Sequence, residues 1–364
     1  MTRLTEAVAF TDACDRCRVR ERDRAVILQK ARRLDRVADW LASAPTSDAR
    51  KLREAYDDAL EKARRDVRDA SDWRAVTLLD AAYPERLRHI SEPPAVLFWS
   101  GTSLDALQEA FVLAVVGTRR PTAYGVEVTR RLTREAVLHG VPIVSGGARG
   151  IDGEAHRAAL NLGGPTYAVL GCGLGVVYPP EHETLFNEIA HNGALITRYV
   201  PGTAPKRHHF PARNRIMAGL ADAVLVTEAS AQSGTLITAG FAADHGRDVL
   251  AVPGSILAGT SKSCHDLIRD GAILVERVQD IPGMPAAHVE RHRQTSFASP
   301  DVTSSHGPEA ALLLELIDNA PRTLSELTEA TGWPFRSVAL CLALLQKTGD
   351  VIFDRGRYRR AVSP

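Results

Sequence analysis

One stretch of this 364-residue chain lacks acidic side chains altogether. Between Arg198 and Leu220 there is no Asp or Glu, while Arg198, Lys206, Arg207, Arg213 and Arg215 supply five fixed positive charges. Over the whole chain 45 basic residues meet 44 acidic ones, so any nucleic-acid binding must come from a patch and not from the global field. Other absences narrow the class further. No apolar run approaches membrane-spanning length. The start, Met1-Thr2-Arg3-Leu4-Thr5-Glu6, lacks a charged-then-apolar leader, so a cytoplasmic protein without membrane contact is expected. Among five cysteines, Cys14 and Cys17 form a C-x-x-C, but no second ligand pair follows, so neither a metal site nor a disulfide framework is expected. No G-x-x-x-x-G-K-[ST] is present, which argues against a P-loop ATPase. Gly171-x-Gly173-x-Gly175 leads into Tyr178-Pro179-Pro180 instead of a helix, so no dinucleotide cofactor is expected either.

What is present divides the chain into four. Residues 1–80 are rich in Arg, Asp and Ala and read as a helical accessory region, with amphipathic helices over 25–41 and 49–67. The apolar Ala95-Val96-Leu97-Phe98-Trp99 follows an extended passage. Residues 81–281 change character. Short β-branched runs at 112–116, 142–145, 166–170, 194–197, 223–227, 248–252 and 273–275 alternate with helical patterns at 125–138, 153–162, 183–191, 214–220, 236–245 and 263–269. Strands apolar on both faces, spaced by helices, predict an α/β fold with a Rossmann-like, doubly wound, mainly parallel sheet. Pro, Gly and Ser mark a linker at 282–307. Residues 308–364 then read as a winged-helix domain: a helix at 309–317, a capping box at Thr323-Leu324-Ser325-Glu326, a third helix opened by Pro334, and a hairpin.

In a doubly wound sheet, ligands bind beyond the C-terminal strand ends. Those ends here carry Gly117 with Arg119, Ser145-Gly146 with Arg149-Gly150, and Ser233-Gly234-Thr235. Glycine lets a backbone approach a ligand, and helix starts offer N–H groups to an anion, so a phosphate-binding rim is expected. The basic stretch adds Lys206, Arg207, Phe210, Arg213, Asn214 and Arg215. Arginine forks suit phosphate oxygens and Phe210 offers a face for a base, a pattern fitting single-stranded nucleic acid. A plain solvated basic loop is the alternative, with Phe210 as a packing anchor. Asp152 and His156 share a helix face and Glu228 follows a buried strand; capping and orienting roles are the expected ones.

These residues carry a family resemblance. Pro93-Pro94-x-x-Leu97, VGTRRPTAYG from Val116, SGGARGIDGEAH from Ser145, AVLGCGLGVVYP from Ala168, HFPARNRIMAGL from His209, EASAQSGTLITA from Glu228 and AVPG from Ala251 occur in order. The chain resembles the DNA-processing protein A family (DprA, also called Smf). The resemblance implies a non-catalytic single-stranded DNA-binding protein of recombination and natural transformation, which protects incoming or processed DNA, forms a homodimer and helps load the RecA recombinase. Departures include Thr197-Arg198 where the family usually has Ser-Glu, and Gly147 where leucine is commoner. A nucleotide-binding or nucleotide-hydrolysing relative of phosphoribohydrolases, using Glu228, stays open as the second reading. A transcription factor led by the winged helix is the third.

Overall fold

A computed structural model of the chain describes residues 3–44, 46–66, 72–230, 234–286, 313–314, 316–317, 321–331, 333, 335–347, 350–354 and 357–360. Two compact units divide it, Met1–Val289 and Glu290–Pro364.

The first unit is built on a nine-stranded sheet. Its parallel part comprises β3 (Leu113–Val116), β4 (Ile143–Ser145), β5 (Thr166–Val169), β6 (Ala194–Thr197), β7 (Ala223–Val226), β8 (Asp248–Ala251) and β9 (Ile273–Leu274). At one edge, β1 (Trp73–Thr77) and β2 (Val96–Gly101) are antiparallel, β2 pairing with β6. Spatial order is β1-β2-β6-β5-β4-β3-β7-β8-β9. The chain walks from β3 out to β6, then crosses back to lay β7 on the other side of β3. That reversal makes β3 the switch point, where the crossover loops part and leave a crevice.

Alternation along the strands splits the core between the two faces. Leu113 and Val115 of β3 face one side with Ala223 and Leu225 of β7. Ala114 and Val116 face the other with Val224 and Val226. Crossover helices cover both: α7 (Ala123–Leu138), α8 (Ile151–Leu160), α9 (Glu183–Asn192), α10 (His209–Leu220), α11 (Thr235–Asp244) and α12 (Lys262–Arg269). Ahead of the sheet come α1 (Arg3–Arg16), α2 (Glu21–Ala31), α3 (Val37–Ser43) and α4 (Ser47–Asp66), and the short α5 (Glu85–Arg88) and α6 (Ala106–Glu109) flank β2. The α4 stripe Ala49, Leu52, Tyr56, Ala59 and Ala63 is buried, and it shares one apolar cluster with Phe98 of β2, Leu170, and Leu185 and Phe186 of α9. The helices before Trp73 therefore cover part of the sheet.

In the second unit, α13 (Leu324–Thr331), α14 (Phe335–Lys347) and an antiparallel pair, Val351–Asp354 with Arg357–Arg360, enclose Leu313, Leu314, Ile317, Leu327, Val338, Leu342, Leu345 and Val351. The expected capping box is present: Thr323 N–H donates to Glu326 Oε2 at 2.8 Å, and Glu326 N–H donates to Thr323 Oγ1 at 3.2 Å. Pro334 and most of the helix expected at 309–317 lie outside the described residues.

Candidate nucleic-acid interface

In the first unit a cleft of roughly 620 Å³ opens at the switch point. Val116, Gly117, Thr118, Arg119 and Arg120 line it after β3, Ala148 and Asp152 after β4, Phe210, Arg213 and Asn214 from α10, and Gly234, Thr235 and Thr238 from α11. A smaller recess continues it, sharing Arg119, Ala148, Phe210 and Arg213 and adding Gly146, Arg149, Gly171, Tyr178 and Pro179.

Phe210 borders both compartments. It lies in the first turn of α10, which begins at His209, so the basic segment expected as a loop ahead of residue 214 is helical from 209 onward. The ring is half-buried; the Arg119 and Arg213 guanidinium carbons lie 5.6 and 5.9 Å from its centroid, and the Tyr178 ring is 5.7 Å away. Behind it the backbone of Gly171 comes so near that a Cβ there would meet the ring at 3.0 Å. Helical spacing sets Phe210 and Arg213 on one face.

The five cations of the acid-free stretch go to different places. Arg213 is buried on the inner face of α10, 3.7 Å from Asp152 Oδ2, and donates to the Val169 carbonyl at 3.2 Å. Burial pushes the Asp152 carboxyl upward, with Arg213 pulling against it. Arg215 lies on another side of the helix and pairs with Glu92. Arg198 pairs with the buried Glu21 of α2. Lys206 and Arg207 are exposed and pair with no described acid, but they do not line the cleft. The acid-free sequence is thus not acid-free in space, and Arg215 is withdrawn from the expected site.

The other expected residues lie in different surroundings. Ser145 is fully buried and its hydroxyl donates to the Val115 carbonyl at 2.7 Å, so it offers nothing to a ligand. The close approach at Gly146 is to the protein itself: a Cβ there would sit 1.3 Å from Arg213 Nη1. At Gly117 a Cβ would likewise meet Ile151 and the Glu228 carbonyl, whereas at Gly234 it would meet none of the described residues. Gly150, at φ +75°, turns the chain into α8, and the Ile151 N–H beside it already donates to Thr118 O. Ser233 lies outside the described residues. Arg119, Asn214, Gly234 and Thr235 line the main cleft, and Arg149 the recess. The sequence reading missed Arg120 and Tyr178 as lining residues. Arg120 adjoins Arg119 in the same turn; Tyr178, 40% exposed, had no signal beyond its motif.

The candidate acid–base groups are structural. Glu228 is buried, and its two oxygens accept from Thr122 N–H and Thr122 Oγ1, each at 2.8 Å, while its carbonyl accepts from Thr118 N–H at 2.7 Å. It clamps the loop after β3. His156 is buried against Thr166 Oγ1 at 2.7 Å, and burial lowers its pKa to about 3. His209 is buried too, bonded to Gly171 O at 3.1 Å and stacked on Tyr199 at 3.9 Å, while His208 is exposed. No cluster of three or more His, Cys, Asp or Glu able to hold a metal occurs among the described residues. Nor is any described helix long and apolar enough to cross a membrane.

A family model for DNA recombination-mediator protein A matches residues 74–284, the sheet with its crossovers. The DNA processing protein DprA of Streptococcus pneumoniae is 45% identical over 205 residues, covering 56% of this chain and 72% of that one. A putative DNA processing protein DprA of Mycobacterium tuberculosis is 42% identical over 325 residues, covering 86% and 82%. Among solved structures, the S. pneumoniae protein superposes with a TM-score of 0.61 at 38% identity, covering 70% of this chain and 89% of that one. A structure described as giving the single-stranded DNA binding mode of DNA processing protein A from Helicobacter pylori matches with a TM-score of 0.52 at 28% identity, over 57% and 93%. With a model match over more than half its length, carried by the same motifs that build the cleft, the chain belongs to the DNA recombination-mediator protein A family.

Proposed function

We propose that this protein binds single-stranded DNA in the switch-point cleft, protects it, and helps load the RecA recombinase during recombination and natural transformation. It does so as a cytoplasmic homodimer and turns over no substrate. Phe210 carries the reading: a half-buried ring flanked by the guanidinium groups of Arg119 and Arg213, on the border of the cleft's two compartments. The exposed Arg119 guanidinium takes a backbone phosphate and the ring takes the face of a base, while the buried Arg213 holds the ring's surroundings. A duplex keeps its base faces stacked, so such a platform favours unpaired strands. Arg119, Arg120, Arg149, Asn214, Gly234 and Thr235 complete the contact set in the cleft, Lys206 and Arg207 meet the strand where it leaves, and the single-strand mode described for the H. pylori relative supports the reading. RecA and the homodimer rest on family membership. The hydrolytic alternative loses its main feature, because the Glu228 carboxylate is turned to Thr122.

Fluorescence anisotropy with single-stranded and blunt duplex oligonucleotides over a salt series tests this. Single strands should bind tighter, with log affinity falling against log salt by about 0.7 per phosphate neutralised. Equal or tighter duplex binding overturns the reading.

A further inference from the structure

The cations of the cleft differ in how available they are. Arg213 is buried and committed to Asp152. Arg119 is exposed and makes no ion pair with a described residue. Arg149 is exposed yet held: its Nε donates to one oxygen of Glu181 and its Nη2 to the other, the second bond at 3.0 Å. This two-pronged geometry is the one in which an arginine takes two oxygens of a phosphate. Glu181 lies in the turn Pro180–His182, directly after Tyr178 and Pro179, which line the recess beside Arg149. A carboxylate of the protein therefore occupies the arginine that faces the recess.

We propose, building on the single-strand reading, that Glu181 is an internal stand-in for phosphate that latches Arg149, so that a strand recruits Arg149 only by displacing it. The side chains of the pair are 59% and 48% exposed, so water screens their attraction and a phosphodiester can compete for the guanidinium. Once displaced, the carboxylate stands beside the incoming phosphate and opposes it. Glu181 thus sets a threshold. A strand that also engages Arg119 and Phe210 exceeds it, while a polyanion that offers charge alone gains less from Arg149.

The test is a double-mutant cycle on the full-length chain, read by anisotropy with a single-stranded oligonucleotide: wild type, Glu181→Gln, Arg149→Ala and both together. Glu181→Gln should tighten binding roughly two- to fivefold, the range corresponding to an exposed ion pair. The gain should vanish in the Arg149→Ala background. Glu181→Ala, which removes the residual amide contact as well, should gain at least as much, and unchanged melting temperatures would establish that all variants fold. An equal gain with and without Arg149 would mean general repulsion by the carboxylate and would overturn the latch. So would unchanged affinity in both Glu181 variants. If wild type itself fails to prefer single strands, the binding reading beneath the proposal is what has failed.

Discussion

Phe210 and His156 show how differently two buried-side rings behave. Phe210 has Gly171 and two guanidinium groups close to its ring and lines both compartments of the cleft. Phe210→Trp should keep single-strand affinity, whereas Phe210→Ala should lose about 1–3 kcal/mol of binding with the salt slope unaltered, because stacking releases no counterions. A fall in melting temperature at constant affinity would make the ring a packing anchor instead. His156, by contrast, is entirely enclosed, with Thr166 on Nδ1 and no partner on Nε2 among the described residues. Desolvation, reinforced by His182, Arg213 and Arg157, holds it neutral to about pH 3. An unfolded chain takes up that proton near pH 6.5, so acid favours unfolding from there down to the folded value. Urea titrations should find about 2 kcal/mol less stability at pH 5 than at pH 7 from this group. In His156→Gln that component of the pH dependence should be absent.

At the scale of elements, Glu228 holds the loop between β3 and α7 through both its carboxylate and its carbonyl. Glu228→Ala would strip the partners from Thr122 N–H and Oγ1, costing about 1–3 kcal/mol. It would also free the loop carrying Arg119 and Arg120. Both melting temperature and strand affinity should fall, without any loss of nucleotide hydrolysis, since none is expected. The central parallel strands were legible because β3, β4, β5 and β7 are short, mostly apolar runs buried on both faces. The antiparallel edge was not. Trp73–Thr77 is partly exposed over its first three residues, with Arg74 out in solvent, and buried only at Val76 and Thr77. The helix expected over 25–41 breaks at Arg32, whose φ is +62°, and neither glycine nor proline marks the place. The site was legible as a set of motifs but not as a set of charges. Glu21, Glu92 and Asp152, which claim Arg198, Arg215 and Arg213, lie far from those arginines in sequence.

For the molecule as a whole, the division at residue 289 predicts which truncations survive. A chain ending there should fold and keep its strand affinity, because the sheet, the cleft and their cores lie within Met1–Val289. Removing residues 1–66 should instead yield aggregated protein in size-exclusion chromatography, since Phe98, Leu170, Leu185 and Phe186 lose their cover. The pairing of β2 with β6 has a consequence for synthesis on the ribosome. The helices α1–α4 emerge before the sheet, yet the surfaces they cover include Leu170 and Ile189, and β2 waits for Ala194–Thr197. At roughly 5–20 residues per second, the nascent N-terminal helices spend on the order of ten seconds with an apolar side uncovered. The window in which chaperones matter most for this protein therefore closes only when β6 has cleared the exit tunnel.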